Sequence, residues 1–381
     1  MIAFALSDEQ LALRELAHDF AQHEIRPAAW QLDRDAEFPR ALVEAAWGLG
    51  LMNIHVPPAL GGAGIGYLDG AILEEELAWG CSGVHASIGC NNLALTPLLL
   101  AGSDALKRRY VTMLTEQPLL ASFALTEPDA GSDVASIKTR AVRRGGSYVI
   151  SGSKCFITNG SHASLYVVFA KTDPDAGRRG ISCFVVPRDA GVLVDGHEDK
   201  MGQRCSDTAT ITFPDVEIPA DHLVGEENGG FALAMATLDR TRAGVAAMAT
   251  GIARAALEFA ISYARERVQF GVAIAEHQAV QFMIADMASD VEASRLLSWQ
   301  AAVAVDEGRP STLLSSHAKR FAADAAMRAT TDAVQVYGGY GFIKDYPVEK
   351  LMRDAKIMQL FEGTSQIQRI VIARELLRDR G

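Results

Sequence analysis

The chain has 381 residues, 49% of them hydrophobic and 22% charged, and a formal net charge of −11. This length sustains two or three packed domains, and the composition excludes a disordered or low-complexity protein. The acidic balance argues against nucleic acid as the main partner, because phosphate binding needs clustered Lys and Arg.

Met1 to Gln10 lacks the basic start and apolar run of a signal peptide, and Asp8 and Glu9 argue against a transit peptide. No segment holds ~20 apolar residues free of charge, so a cytoplasmic protein without a membrane span is expected. Ser7 and Gln10 make a capping-box pattern ahead of Leu11, Leu13, Leu16 and Phe20, which predicts a first helix. Pro57 to Gly66 reads as a flexible loop, since its glycines lack the spacing of a dinucleotide cradle. Ala71 to Trp79 predicts another helix, with Ile72, Leu73 and Leu77 on an apolar face beside Glu74, Glu75 and Glu76.

From about Leu119 to Glu227 the period changes. Tyr148–Ile150, Leu165–Phe169, Ile181–Val186 and Thr208–Phe213 read as short strands, parted by Gly145-Gly146, Asn159-Gly160 and Asp173-Pro174. Such a run suggests a small barrel or sandwich. Helical patterns then return, with Leu257, Ile261 and Ala264 at helical spacing. Breaks follow at Arg309-Pro310-Ser311 and at Gly338 to Gly341, and a last helix is expected from about Ser365 to Arg378, with Ile367, Ile370 and Val371 on one face.

Cys81, Cys90, Cys155, Cys183 and Cys205 form no C-x-x-C pair and read as small buried thiols. The nine histidines show no metal-ligand spacing, so no metal is expected. Hydrolase and P-loop signatures are missing. The strongest local signal is Phe361-Glu362-Gly363-Thr364-Ser365-Gln366-Ile367-Gln368-Arg369. Thr364 or Ser365 caps a helix there, and Gln368 is placed for a capping box. The helix dipole favours the Glu362 carboxylate while burial beside Phe361 raises its pKa, a balance suited to proton abstraction near neutral pH. By itself the segment also reads as an ordinary acidic helix start.

This segment resembles the base-bearing segment of the acyl-CoA dehydrogenase family, and other motifs agree in order along nearly the whole chain. They are Thr126-Glu127-Pro128 with Gly131-Ser132-Asp133, Phe156 to Gly160, Met201 to Arg204 with Ser206, Arg267 with Phe270-Gly271, His277-Gln278, Gln335 to Gly339, and Tyr346 to Lys350 with Arg353 to Lys356. The medium- and short-chain enzymes are the most similar subgroup. The resemblance implies an α+β multidomain fold: an N-terminal α-helical domain (1–118), a small β-barrel domain (119–228) and a C-terminal four-helix-bundle domain (229–381). It implies dehydrogenation of an acyl-CoA thioester to the trans-2-enoyl-CoA, as in fatty acid β-oxidation, with Glu362 as the α-proton base. It also implies an FAD cofactor, an electron-transferring flavoprotein as electron acceptor, and a homotetramer with FAD sites at subunit interfaces.

Residue by residue, the resemblance assigns FAD contacts to Phe123, Leu125, Thr126, Ser132, Phe156, Ile157, Thr158, Arg267, Phe270, Gln278, Gln335, Val336, Gly338, Gly339, Thr364, Ser365 and Gln366. It assigns acyl-CoA contacts to Ser132, Asp239, Arg242 and Gly363. Some family branches carry the base where this chain has Thr241, so no second candidate competes there. Phe156 stands where many relatives have Trp. An oxygen-using acyl-CoA oxidase, a related flavoenzyme acting on an unusual thioester, and a non-catalytic flavin-binding relative are the alternatives. The intact Glu362 and the acidic charge count against the last, and oxygen reactivity separates the first.

Overall fold

Ser7 opens the first helix as its sequence predicts, with Gln10 N–H donating to Ser7 Oγ at 3.2 Å and Ser7 N–H donating to Gln10 Oε1 at 3.0 Å. The computed structural model describes residues 5–378. Helices α1 (Asp8–Phe20), α2 (Arg26–Asp35), α3 (Arg40–Gly48), α4 (Tyr67–Ala101), α5 (Asp104–Leu106) and α6 (Thr112–Glu116) form the first part. Strands β1 (Ala121–Ala124), β2 (Arg140–Arg144), β3 (Ser147–Thr158), β4 (Leu165–Lys171), β5 (Ile181–Pro187), β6 (Leu193–His197), β7 (Thr208–Pro219) and β8 (Leu223–Val224) follow. The last part holds α7 (Gly230–Glu266), the two-residue strands β9 (Val268–Gln269) and β10 (Val272–Ala273), α8 (Gln278–Asp306), α9 (Thr312–Tyr337), α10 (Val348–Met358) and α11 (Ser365–Leu377).

The central sheet runs β6-β7-β3-β2-β4-β5-β8, with β1 added in parallel to β4. Its ends, β6 and β8, do not pair, so the expected barrel is an open one. Along β7 the predicted alternation holds: Ala209, Ile211 and Phe213 are buried in the sheet's interior, and Thr208, Thr210 and Thr212 are half-buried. The four strands read from sequence are present but extend further, because β3 and β7 continue through polar residues that a local pattern cannot assign.

Helices α4 and α7 are long and apolar enough to cross a membrane, but most of each apolar window is buried inside the protein. A helix apolar on all sides is a core helix when others surround it. Alanines 246, 249, 253, 256 and 260 on α7 keep side chains small where the helices meet. The acidic run on α4 is taken inside as well. Glu75 receives Arg254 at 3.0 Å and Arg295 at 2.8 Å, and Glu76 pairs with Arg254 and His18.

Other sequence readings change. Leu11, Leu16 and Ile370 are exposed. The Pro57 to Gly66 loop is tied down by Gly64 N–H to Val56 O and Ile65 N–H to Ile54 O, both at 2.8 Å. The five cysteines are free and buried, in line with their sequence reading.

Two motif segments join sheet to helices. Asp354 on α10 accepts from Gln203 N–H at 2.5 Å, Lys350 Nζ at 2.6 Å and Ser82 Oγ at 3.1 Å. Lys154 on β3, fully buried, donates to Glu127 at 2.8 Å and to Leu125 O at 2.9 Å. Burial would raise the Glu127 carboxyl, but the Lys154 ammonium and nearby donors hold it below the usual range. Lys154→Met strands that carboxylate in the interior. It is expected to cost about 3–5 kcal/mol, read from the denaturant midpoint.

Candidate active site

The turn between α10 and α11 carries Glu362 at φ +50° and Gly363 at φ +88°. A left-handed glutamate costs roughly 1–3 kcal/mol and persists only when its surroundings over-determine it. Here they do. Glu362 O accepts from Arg242 Nε and from Gln368 Nε2, each at 3.2 Å. Gly363 O accepts from Gln368 Nε2 at 3.1 Å and Lys319 Nζ at 2.8 Å. A Cβ on Gly363 would fall 2.5 Å from Gln368 Nε2, so only glycine fits this hydrogen-bonded turn.

Thr364 caps α11 by accepting from Ile367 N–H at 3.1 Å. Gln368 is therefore one residue past the capping-box position, and its side chain pins the turn instead. The Glu362 carboxylate takes its hydrogen bond from Thr241 Oγ1 at 2.9 Å, not from the amides opening α11. Burial raises the Glu362 carboxyl above its ordinary value, and the Thr241 bond with the Arg242 and Lys319 charges opposes the rise. Arg242 is itself buried and paired with Asp239 at 2.6 Å, while Asp239 also accepts from Thr312 at 2.5 Å. Asp239 to Arg242 thus lies within α7 in a packed cluster, not at a solvated helix start.

Lys319 was not singled out by the sequence reading. Its signal is a lone cation on the face of α9 that carries Ser315, Ala322 and Ala326. Burial lowers its pKa to about 8, with the Glu362 charge opposing.

The residues assigned to the cofactor fall into two groups. In the first, β3 bulges between Lys154 and Ile157, which turns Phe156 outward at φ +56° and 63% exposed. Cys155 N–H donates to Thr126 O at 3.0 Å, placing the Thr126 loop beside the bulge. Thr158 O accepts from Ser122 Oγ at 2.8 Å and meets Cys90 of α4. Burial and then the Glu362 charge push the Cys90 thiol up to about 12, so Thr158, Cys90 and Glu362 share one neighbourhood. Phe123 is half-buried against Phe169. Ser132 and Gln366 are exposed. Leu125 and Ile157 are buried in the core, leaving only their backbone groups for a ligand. The Ser365 hydroxyl is turned inward and donates to Asp324 at 2.9 Å.

The second group sits at the far end of α7. Arg267, Val336, Gly338 and Gly339 line a cavity of about 400 Å³ with Tyr263 and Tyr340. Val336 is nearly buried there, whereas Gln278 and Gln335 are exposed and Phe270 is 95% exposed. Arg267 stands roughly 40 Å along α7 from Thr241, farther than one dinucleotide reaches. The two groups therefore do not converge within one chain.

The acyl-CoA dehydrogenase N-terminal, middle and C-terminal domain models match residues 7–117, 122–216 and 228–377. The chain belongs to the acyl-CoA dehydrogenase family. Members of this family are FAD-dependent oxidoreductases acting on the CH–CH group of acyl-CoA thioesters. The chain is 46% identical over 375 residues to cyclohex-1-ene-1-carbonyl-CoA dehydrogenase of Geobacter metallireducens, covering 98% of this chain and 99% of that protein. Its structure matches butyryl-CoA dehydrogenase from Megasphaera elsdenii with TM-score 0.97 at 40% identity, over 99% of this chain and 100% of the other. A chain from a structure of the electron transferring flavoprotein of Acidaminococcus fermentans matches with TM-score 0.97 at 43% identity, over 99% and 100%. The residues of this acyl-CoA dehydrogenase fit an FAD: an aromatic ring turned outward at a bulge, and a glycine-lined cavity bearing an arginine suited to pyrophosphate.

Because Thr241 and Arg242 hold the Glu362 pKa down, removing either raises it. Infrared difference titration of the Glu362 carboxyl is expected to move to higher pH in Thr241→Val and in Arg242→Met.

Proposed function

We propose that this acyl-CoA dehydrogenase oxidises an acyl-CoA to the trans-2-enoyl-CoA with Glu362 as the base. The observation that carries the reading is the Glu362 carboxyl, half-buried, raised in pKa, and bonded to Thr241 from a left-handed turn held by Arg242, Lys319 and Gln368. A carboxylate so raised is a stronger base than one in water and is poised for a weakly acidic α C–H. The Glu362 N–H makes no hydrogen bond to the protein among the described residues. It is free to donate to the thioester oxygen and stabilise the developing enolate. Gly363 lets the substrate approach the turn, and Arg242 fixes the Glu362 backbone while its ion pair with Asp239 holds it in place.

Bound FAD supplies the acceptor for the β hydrogen, which leaves as hydride. Thr126 and Thr158 would hydrogen-bond its ring and Phe156 would pack on it. Ser132 and Asp239 lie toward the CoA arm. An electron-transferring flavoprotein as the next electron acceptor is supported by the family and by the structural match to the Acidaminococcus chain. Arg267, Gln278, Phe270 and Gln335 to Gly339 would hold the dinucleotide of a neighbouring subunit, since roughly 40 Å of α7 separates Arg267 from the Glu362 site. A homotetramer satisfies this need.

Glu362→Gln is expected to keep FAD and lose flavin reduction by several orders of magnitude in anaerobic stopped-flow. Near wild-type bleaching would move the base elsewhere. Hybrid oligomers of Glu362→Gln and Arg267→Ala chains are expected to regain activity that neither homo-oligomer has, because one site then receives both intact groups. No recovery would put both residues in one chain's site.

A further inference from the structure

Two core helices, α4 and α7, flank Glu362. On α4 the residues from the kink to Leu98 are buried except for a stripe at Ala86, Gly89 and Leu93; on α7 Thr241 and Gly244 keep partial access. Glu74 also keeps partial access, one turn and more before the kink. A Cβ on Gly244 would fall 2.0 Å from Glu74 Oε2 and 3.1 Å from Oε1. The missing side chain on α7 thus makes room for the Glu74 carboxyl. The charges of Glu74 and Glu362 are close enough to repel.

Three features make this wall polar. First, Glu75 and Glu76 have arginine partners, whereas Glu74 has no ion pair among the described residues. Burial, then Glu362, push its carboxyl up to about 8, so it stands protonated at neutral pH, with the Asn92 amide opposing the rise. Second, Asn92 is buried and its Oδ1 has no partner. Third, His85 is 5% exposed and neither ring nitrogen has a partner. Its Nε2 lies 3.3 Å from where a Gly89 Cβ would stand, on the open stripe, and burial lowers its pKa to about 4, keeping it neutral. Buried polar atoms without partners are uncommon and costly, and point to an unseen hydrogen-bonding partner.

We infer that Glu74, Asn92 and His85 form a polar section of the acyl pocket, selecting an acyl thioester that carries an uncharged hydrogen-bonding substituent such as a hydroxyl. This rests on the reading of Glu362 as the group facing the acyl α carbon. A plain alkyl tail would leave the Asn92 Oδ1 and both His85 ring nitrogens unpaired. A carboxylate-tipped acyl group would meet the Glu74 and Glu362 carboxyls, and the cations beside Glu362, Arg242 and Lys319, are committed to Asp239 and Gly363.

The test uses the FAD-loaded enzyme with hexanoyl-, 6-hydroxyhexanoyl-, 4-hydroxyhexanoyl-, 6-aminohexanoyl- and adipyl-CoA, read as kcat/KM for flavin reduction. Non-reducible thioether analogues of the same chains are titrated calorimetrically alongside. One hydroxyacyl-CoA is expected to exceed hexanoyl-CoA by at least tenfold in both readouts. Glu74→Leu and Asn92→Leu should each shrink that ratio about tenfold, and Glu74→Gln should restore most of it. Hexanoyl-CoA as the best substrate, with the ratio unmoved in both leucine variants, overturns the proposal while leaving the dehydrogenase reading intact. A preference for the amino or carboxyl chain also overturns it. If no thioester reduces the flavin but the hydroxylated thioether still binds best and depends on Glu74, the pocket stands and the reaction reading falls.

Discussion

The packing of α4 on α7 is the constraint on which the remaining architecture depends. Both helices are too apolar to stand in water, and burying each against the other builds the helical core. The same contact takes three consecutive glutamates inside. Taking a charge out of water is expensive, so each must be paired or neutralised. Glu75 and Glu76 are paired by Arg254, Arg295 and His18. Glu74 is left beside Gly244 and is neutralised by protonation.

Glu362 obeys the same physics with a different outcome. It is enclosed as Glu74 is, yet Thr241, Arg242 and Lys319 oppose the rise in its pKa. Two neighbouring carboxyls are thereby driven to different protonation behaviour by their partners, a recurrent way to separate roles in acid–base sites. The partners come from distant parts of the chain. Thr241 and Arg242 lie on α7, Lys319 on α9, and Gln368 on the helix that follows the turn. Holding Glu362 in a left-handed conformation needs all of them, which couples the integrity of the helical core to the geometry of the carboxylate.

The long α7 also sets the scale of the site. Its first third carries Thr241 and Arg242 and its last residue leads to Arg267, so a rigid rod separates the Glu362 partners from the cavity lined by Arg267.

Much of this was legible in the sequence. The capping box at Ser7, the period-two pattern of Thr208–Phe213 and the glycine stop at Gly338 all depend on neighbours a few residues away, and local rules read them correctly. The sequence by itself determined the element types, the order helix–sheet–helix, the family, and Glu362 as the acidic residue of note. Only the tertiary structure decided what surrounds that residue. Thr241 as its hydrogen-bond donor, Lys319 as a buried cation beneath it, the inward turn of Ser365, and the polar wall of Glu74, Asn92 and His85 are contacts between segments tens to hundreds of residues apart. A side chain's charge state depends on burial and on which groups reach it, and neither is a property of the local sequence.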